Sequence, residues 1–339
     1  MSKKDTNKAI GLKSNPFLKS IGTQRLIALL ALIVLYILFG AINHKFFQYS
    51  TLVNIFDSVY YIGFMAIGVT FAIVTGGIDL SIGTVLTCSA LIAGTLAAKY
   101  GVNIWICLIV GIVIGTAFGL ANGFMVAYMG LPPFIATLGT MMLSKGLGSV
   151  FTGAQPATWP QGGTVGAGYR NIFKINITTE TGKILIPTGF ILLIVIAIAM
   201  AIFLNKTRSG RYIIALGSNY EATRLSGVKV QKYLTMAYVI SGTLAGLAGI
   251  SYAAIYTQIL PGGGAGFELD AIAGVVIGGT SMSGGYGTVA GTLIGVFIMS
   301  VLKTGLPFIG LQAHYQQVGT GIVLIIAVFV DVWNRRKKN

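Results

Sequence analysis

Charge is the scarcest commodity in this 339-residue chain. Only 9% of the residues are charged, and acidic side chains number 8 against 23 basic ones. A soluble domain carries roughly 25% charged residues. With 55% hydrophobic residues and a mean hydropathy of +0.83, the chain is too apolar for a wetted surface and for disorder. His44 and His314 stand alone, so neither a histidine metal site nor a Ser–His triad can be assembled within one chain. Cys88 and Cys107 lie in apolar runs without metal-like spacing. They read as small buried residues. No phosphate-binding G-x-x-x-x-G-K-[ST] loop is present. The nearest match, Gly139–Gly146, puts Ser144 at the second glycine and lies in an apolar run. The chain is therefore expected to be non-catalytic, with no metal and no cofactor of its own.

What is present is a series of long apolar runs. A helix needs about 20 apolar residues to cross the hydrocarbon. Ten candidates are expected: Leu26–Asn43, Leu52–Thr75, Leu80–Ala98, Ile104–Tyr128, Pro133–Phe151, Ile186–Leu204, Leu234–Tyr256, Leu269–Met282, Thr288–Leu302 and Gln317–Trp333. The eighth and ninth are short and glycine-rich. The first run lacks a small-residue cleavage site after it and reads as a span rather than a secretory signal. The expected fold is an all-α polytopic membrane protein of about ten transmembrane helices.

The net charge of +15 suggests nucleic acid only in a soluble protein. Here the basic residues cluster in loops, so the positive-inside rule applies. The 1–25 tail holds Lys3, Lys4, Lys8, Lys13, Lys19 and Arg25. The 205–233 loop holds Lys206, Arg208, Arg211, Arg224, Lys229 and Lys232, and the 334–339 tail holds Arg335, Arg336, Lys337 and Lys338. An even span number places all three clusters, and both termini, in the cytoplasm. The 152–185 loop is then extracytoplasmic, with an alternating stretch Ile172–Ile177 that reads as a hairpin.

The third span opens Asp79-Leu80-Ser81-Ile82-Gly83 and the eighth holds Asp270-Ala271-Ile272-Ala273-Gly274. Both read D-x-x-x-G at the same ordinal place in a five-helix half. The permease region 26–333 would then comprise two inverted halves, about 26–151 and 186–333, a common transporter plan. Glycines at 111, 115, 119 and 123, at 242 and 246, and at 287, 291 and 295 are spaced for close helix contact in lipid. Asp79, Ser81, Glu268 and Asp270 stand beside glycine hinges. As carboxylates facing lipid are costly, they are expected either to cap helix starts or to line a passage for a hydroxyl-rich solute.

In the 205–233 loop, Ser218 and Glu221 read as a capping box and Gly227 as a left-handed C-terminal residue. Between them lies a helix of about two turns, too short to be stable alone. Ala222 and Leu225 offer it an apolar face, against its own membrane domain or a separate cytoplasmic subunit.

These segments resemble the permeases of ribose-, galactose- and xylose-type ABC importers, from about Leu52 to Asp331. The matching stretches are Gly210–Gly227, Val74–Gly83, Pro133–Thr140, Glu268–Ala273 and Gly278–Gly285. The resemblance implies an inner-membrane subunit that forms the translocation path with a second copy or a homologous permease. ATP and Mg would be bound by a partner ATPase, and a periplasmic or lipid-anchored binding protein would deliver a monosaccharide, ribose-type first. The coupling segment would comprise Gly217, Ser218, Asn219, Glu221, Ala222, Arg224, Leu225, Ser226 and Gly227. Extracytoplasmic Lys45, Arg170, Lys174, Lys183 and Lys303 would meet acidic patches on the binding protein. The competing reading is an ion-coupled secondary sugar transporter, disfavoured because the carboxylates lie at span ends. A membrane-embedded enzyme lacks paired carboxylates, metal ligands or an activated nucleophile.

Overall fold

A computed structural model describes residues 23–179, 182–311 and 313–336. The basic tail residues Lys3, Lys4, Lys8, Lys13, Lys19, Lys337 and Lys338 lie outside these. The long helices are α1 (Thr23–Ile42), α2 (Tyr49–Val74), α3 (Ile82–Tyr100), α4 (Ile104–Ala127), α5 (Pro133–Thr152), α6 (Thr188–Lys206), α9 (Val230–Ile255), α11 (Val289–Gly305) and α12 (Ala313–Arg336). Two short helices, α7 (Arg208–Ser218) and α8 (Tyr220–Leu225), precede α9, and a half-length helix, α10 (Phe267–Ile277), follows it. Among the described residues, seven helical segments are long and apolar enough to cross a membrane; α1 and α12 carry shorter apolar stretches.

Local chemistry sets the boundaries. Asn103 caps α4 by accepting from the Trp105 amide at 2.9 Å, and Thr288 caps α11 by accepting from the Gly291 amide. Gly101 and Gly153, both at φ +63°, end α3 and α5 in the left-handed conformation that glycine adopts without steric cost. Pro133 opens α5 at a position where its missing N–H leaves no helical bond unmade.

The central helix is α2, buried from Val59 to Val74 and surrounded by α6, α9, α10 and α11. The halves interleave: α9 packs on α2, α3 and α4 of the first half. Its contact with α4 is backbone against backbone. A methyl group on Gly115 would collide with the Gly242 carbonyl oxygen and stand 2.7 Å from the Gly246 Cα. One on Gly123 would stand 2.8 Å from the Thr235 Cα. Thr116 and Thr243 share a hydroxyl hydrogen bond of 2.9 Å across this seam. A second glycine seam joins α10 to α11, where Gly274 and Gly278 meet Gly295 and Gly291.

The eighth expected span is different from the others. Helix α10 has 11 residues, roughly 16 Å at 1.5 Å per residue, about half the hydrocarbon thickness. Residues 278–288 continue without helix, with Gly279, Gly284 and Gly285 at positive φ. Hydropathy does not distinguish a half helix plus an apolar loop from a full span.

At one end of the bundle, strands β2 (Ile175–Thr179) and β3 (Gly182–Ile186) pair antiparallel, with Ile175 opposite Ile186. The hairpin begins later than the expected Ile172, because 167–172 forms a 3-10 turn. Strand β1 (Ala157–Thr158) pairs with β4 (Gln258–Ile259) at the same end. Trp159 is buried there, and its indole N–H donates to the Ala90 carbonyl at 3.0 Å. Helices α7 and α8 lie at the opposite end, α7 packed against the bundle through Gly210, Ile213 and Leu216.

Overpacking a tight contact costs about 1–3 kcal/mol. Gly115→Ala is therefore expected to lower the melting temperature of the detergent-purified protein. Gly139→Ala on α5, where the new methyl meets nothing within 4 Å, is expected to leave it unchanged or raise it by the glycine-to-alanine helix gain of up to about 1 kcal/mol.

Candidate functional site

The projecting element is α8, six residues long. Its cap is Asn219, whose side chain accepts from the Ala222 amide at 2.9 Å, not the expected Ser218. The Ser218 hydroxyl instead donates to the Ile214 carbonyl at 3.1 Å, because Ser218 is the last residue of α7. Glu221 makes no capping-box bond. It pairs with Arg224 at 2.8 Å on the exposed surface, a contact of little energetic weight. Thr223 alone of α8 turns inward. Leu225 is 81% exposed, and Ala222, Arg224, Ser226 and Gly227 are exposed as well. The apolar face of α8 is thus not docked on its own membrane domain.

Behind α8 lies a junction made almost entirely of glycine. A methyl on Gly217 would collide with the Val74 carbonyl and stand 2.5 Å from the Gly285 amide nitrogen. The Gly285 amide donates to that same carbonyl at 2.9 Å. Gly284 fits against Gly76 and Gly217. The end of α7 is therefore wedged between the end of α2 and the 278–288 segment. Beside it, a cavity of about 300 Å³ is bounded by Gly76, Gly77, Pro132, Pro133, Leu216 and Tyr220.

Two helices begin inside the bundle. Helix α3 starts after the non-helical stretch 75–81, which comes from the α8 end. Helix α10 starts after Pro261–Gly266, which comes from the hairpin end. Their first turns meet: a methyl on Gly83 would collide with the Glu268 carboxylate and with the Gly264 carbonyl. The two D-x-x-x-G segments are thus brought together in space, entering from opposite ends.

Asp79 has no exposed surface. One oxygen accepts from the Ser81 amide at 3.0 Å and hydroxyl at 2.6 Å, and the other from the Ser241 hydroxyl at 2.7 Å. Asn122 donates to Ser81 at 2.9 Å and accepts from Thr140 at 2.6 Å. This network ties the start of α3 to α4, α5 and α9. Glu268 accepts from the Gly266 amide at 3.0 Å through one oxygen; the other is buried without a hydrogen-bond partner. Asp270 accepts from Lys303 at 2.6 Å. Within a single chain, Asp79, Ser81, Glu268 and Asp270 are at most 7% exposed. Asn122, Thr140 and Ser241 were not selected from sequence. Asn122, an amide within an apolar run, is the one that carried a visible signal.

The five basic residues expected to face a binding protein divide. Lys174 pairs with Asp57, which also accepts from the Tyr60 hydroxyl. Lys303 is taken by Asp270, and the Arg170 guanidinium donates to the Ala254 carbonyl at 2.9 Å. These three fasten the hairpin end to α2, α10 and α9. Lys45 is exposed. Lys183 lies on β3 opposite Thr178. Cys88 and Cys107 are buried and unpaired, and the described residues contain no cluster of three or more potential metal ligands.

The model of the family described as branched-chain amino acid transport system/permease component matches residues 51–328. The ribose import permease of Escherichia coli is 38% identical over 305 residues, covering 90% of this chain and 92% of the relative. The ribose import permease of Bacillus subtilis is 39% identical over 318 residues, 93% and 94% of the two chains. The galactose/methyl galactoside import permease of Escherichia coli is 36% identical over 283 residues, 79% and 82%. No solved structure matches. Matched along most of its length by both the family model and these relatives, a bundle with two internally starting helices and a glycine-backed peg belongs to the binding-protein-dependent permease family of ABC importers.

Proposed function

We propose that this chain is the membrane-spanning permease subunit of an ATP-driven importer of a monosaccharide, ribose-type first. The observation that carries the reading is α8: an apolar residue, Leu225, held out into water at the tip of a short helix whose base is locked to two glycine hinges. A leucine so placed gains about 2 kcal/mol when buried, and a pocket on a separate subunit supplies that burial. The chain has no phosphate loop, so ATP and Mg belong to that partner.

The loop bearing α8 carries Lys206, Arg208, Arg211, Arg224, Lys229 and Lys232, which favours the cytoplasm for this end. The hairpin end then faces outward and receives the binding protein, with exposed Lys45 as the cationic contact and Lys183 as a second candidate. A second copy of the chain completes the path. The relatives' names include ribose, fructose and galactose import permeases, which favours a monosaccharide. The family description names branched-chain amino acids and supplies the second reading. The membrane is the cytoplasmic membrane, with both termini inside.

Leu225→Asp is expected to weaken association with the ATPase by roughly thirty-fold, the equivalent of about 2 kcal/mol, without altering the melting temperature of the permease. Unchanged co-purification would overturn the peg role. In vesicles containing the permease, the ATPase and the binding protein, uptake of a pentose or hexose is expected only with ATP inside or outside on the ATPase face. A panel that includes leucine and valine separates the two substrate readings, and uptake driven by an ion gradient without the ATPase would refute both.

A further inference from the structure

Helix α5 carries one charge, Lys145, the thirteenth of its 20 residues. At 1.5 Å per residue its Cα sits roughly 18 Å from Pro133 and roughly 10 Å from Thr152, well inside the apolar zone. The side chain is exposed in the single chain. Its ammonium makes no hydrogen bond or ion pair with any described residue. Each of the two other lysines found at the hairpin end with a carboxylate nearby, Lys174 and Lys303, takes it. Lys145, set within an apolar helix, has no such partner among the described residues.

A lysine facing hydrocarbon costs about 2.5–3.5 kcal/mol even on the milder scales. The usual escape is to reach the nearer membrane surface. Lys145 is poorly set for that. Side chains on a helix lean toward its N-terminus, here toward Pro133 and away from the nearer end. The stem also lies alongside the Pro261–Gly266 segment, its Cε 3.6 Å from where a Gly262 methyl would stand. That segment holds Gly262, Gly264 and Gly266 at positive φ and leads into Glu268, whose second oxygen is buried without a hydrogen-bond partner. Irregular backbone at membrane depth persists only where protein covers it or water reaches it. A free cation on its open side selects water.

We propose that the α5 face bearing Lys145, together with Pro261–Gly266, lines the wet passage, and that the Lys145 ammonium donates hydrogen bonds to oxygen atoms of the passing solute. Sugar hydroxyls and an amino-acid carboxylate share that acceptor chemistry. The inference rests on the permease reading and adds where the solute runs. It also accounts for the internal start of α10: the break exposes peptide groups next to the cation, where a polar solute crosses.

The test is made on the assembled transporter in vesicles, with ATPase and binding protein present. Lys145→Cys is treated with a membrane-impermeant cationic methanethiosulfonate, with and without ATP so that both states of the cycle are sampled. Native Cys88 and Cys107 are buried and give the background. Modification of Lys145→Cys is expected in at least one state. It is expected to slow several-fold when solute-loaded binding protein is added, with sugar-loaded and amino-acid-loaded arms telling which solute protects. Val195→Cys, on the exposed face of α6, is expected to stay unmodified. In the same vesicles Lys145→Met is expected to reduce uptake at least ten-fold, with partial recovery in Lys145→Arg. Absence of modification in both states, or full uptake by Lys145→Met, would overturn the proposal. Failure of the unaltered transporter to take up any solute would instead count against the permease reading.

Discussion

A peptide group carried into hydrocarbon without a hydrogen-bond partner costs several kcal/mol, and the rest of this structure is arranged around that constraint. Most of the chain meets it by being helical from one side to the other. The stretches 75–81 and 278–288 and the Pro261–Gly266 segment do not. Side chains and backbone from other parts of the chain meet part of their hydrogen-bonding demand. Asp79 serves the first as acceptor for the Ser81 amide, Glu268 serves the third through the Gly266 amide, and the Val74 carbonyl serves the second through Gly285. Two of the eight acidic residues of this chain, Asp79 and Glu268, thus serve backbone where regular helix is missing.

The same constraint explains the glycines. Lipid tails are as apolar as leucine, so helices gain from association chiefly through close contact and polar bonds. Where α4 crosses α9, the Gly115 and Gly242 backbones approach each other directly, and a threonine pair crosses beside them. The interleaving of α9 with the first half depends on that seam. It makes the two halves one body, although the sequence pattern describes them as successive units.

Much of this was legible in the residues. Apolar runs mark the long helices to within a few positions, since length and composition alone decide whether a helix can cross. The glycine spacing at 111, 115, 119 and 123 announces a contact face, and the punctuation around Tyr220–Leu225 announces a short helix. What was not legible depends on partners distant in sequence. Ser218 and Asn219 are both good caps; only the place where α7 ends assigns the role to Asn219. Lys174 and Lys303 look like surface cations until Asp57 and Asp270 are brought beside them, 117 and 33 residues away. Lys145 is one basic residue among 23 in the sequence; its meaning comes from having no carboxylate partner among the described residues.

The junction of Gly217 with Val74 and Gly285 has a mechanical corollary. Side chains relay motion imperfectly, since rotamers absorb part of any displacement. Where main chain presses on main chain there are no rotamers to turn. A push of an ångström at the tip of α8 is therefore delivered with little loss to the strand of chain leaving α2 and to the one returning toward α11, both at once. That joint ties the chain that leads into one internally starting helix to the chain that leaves the other.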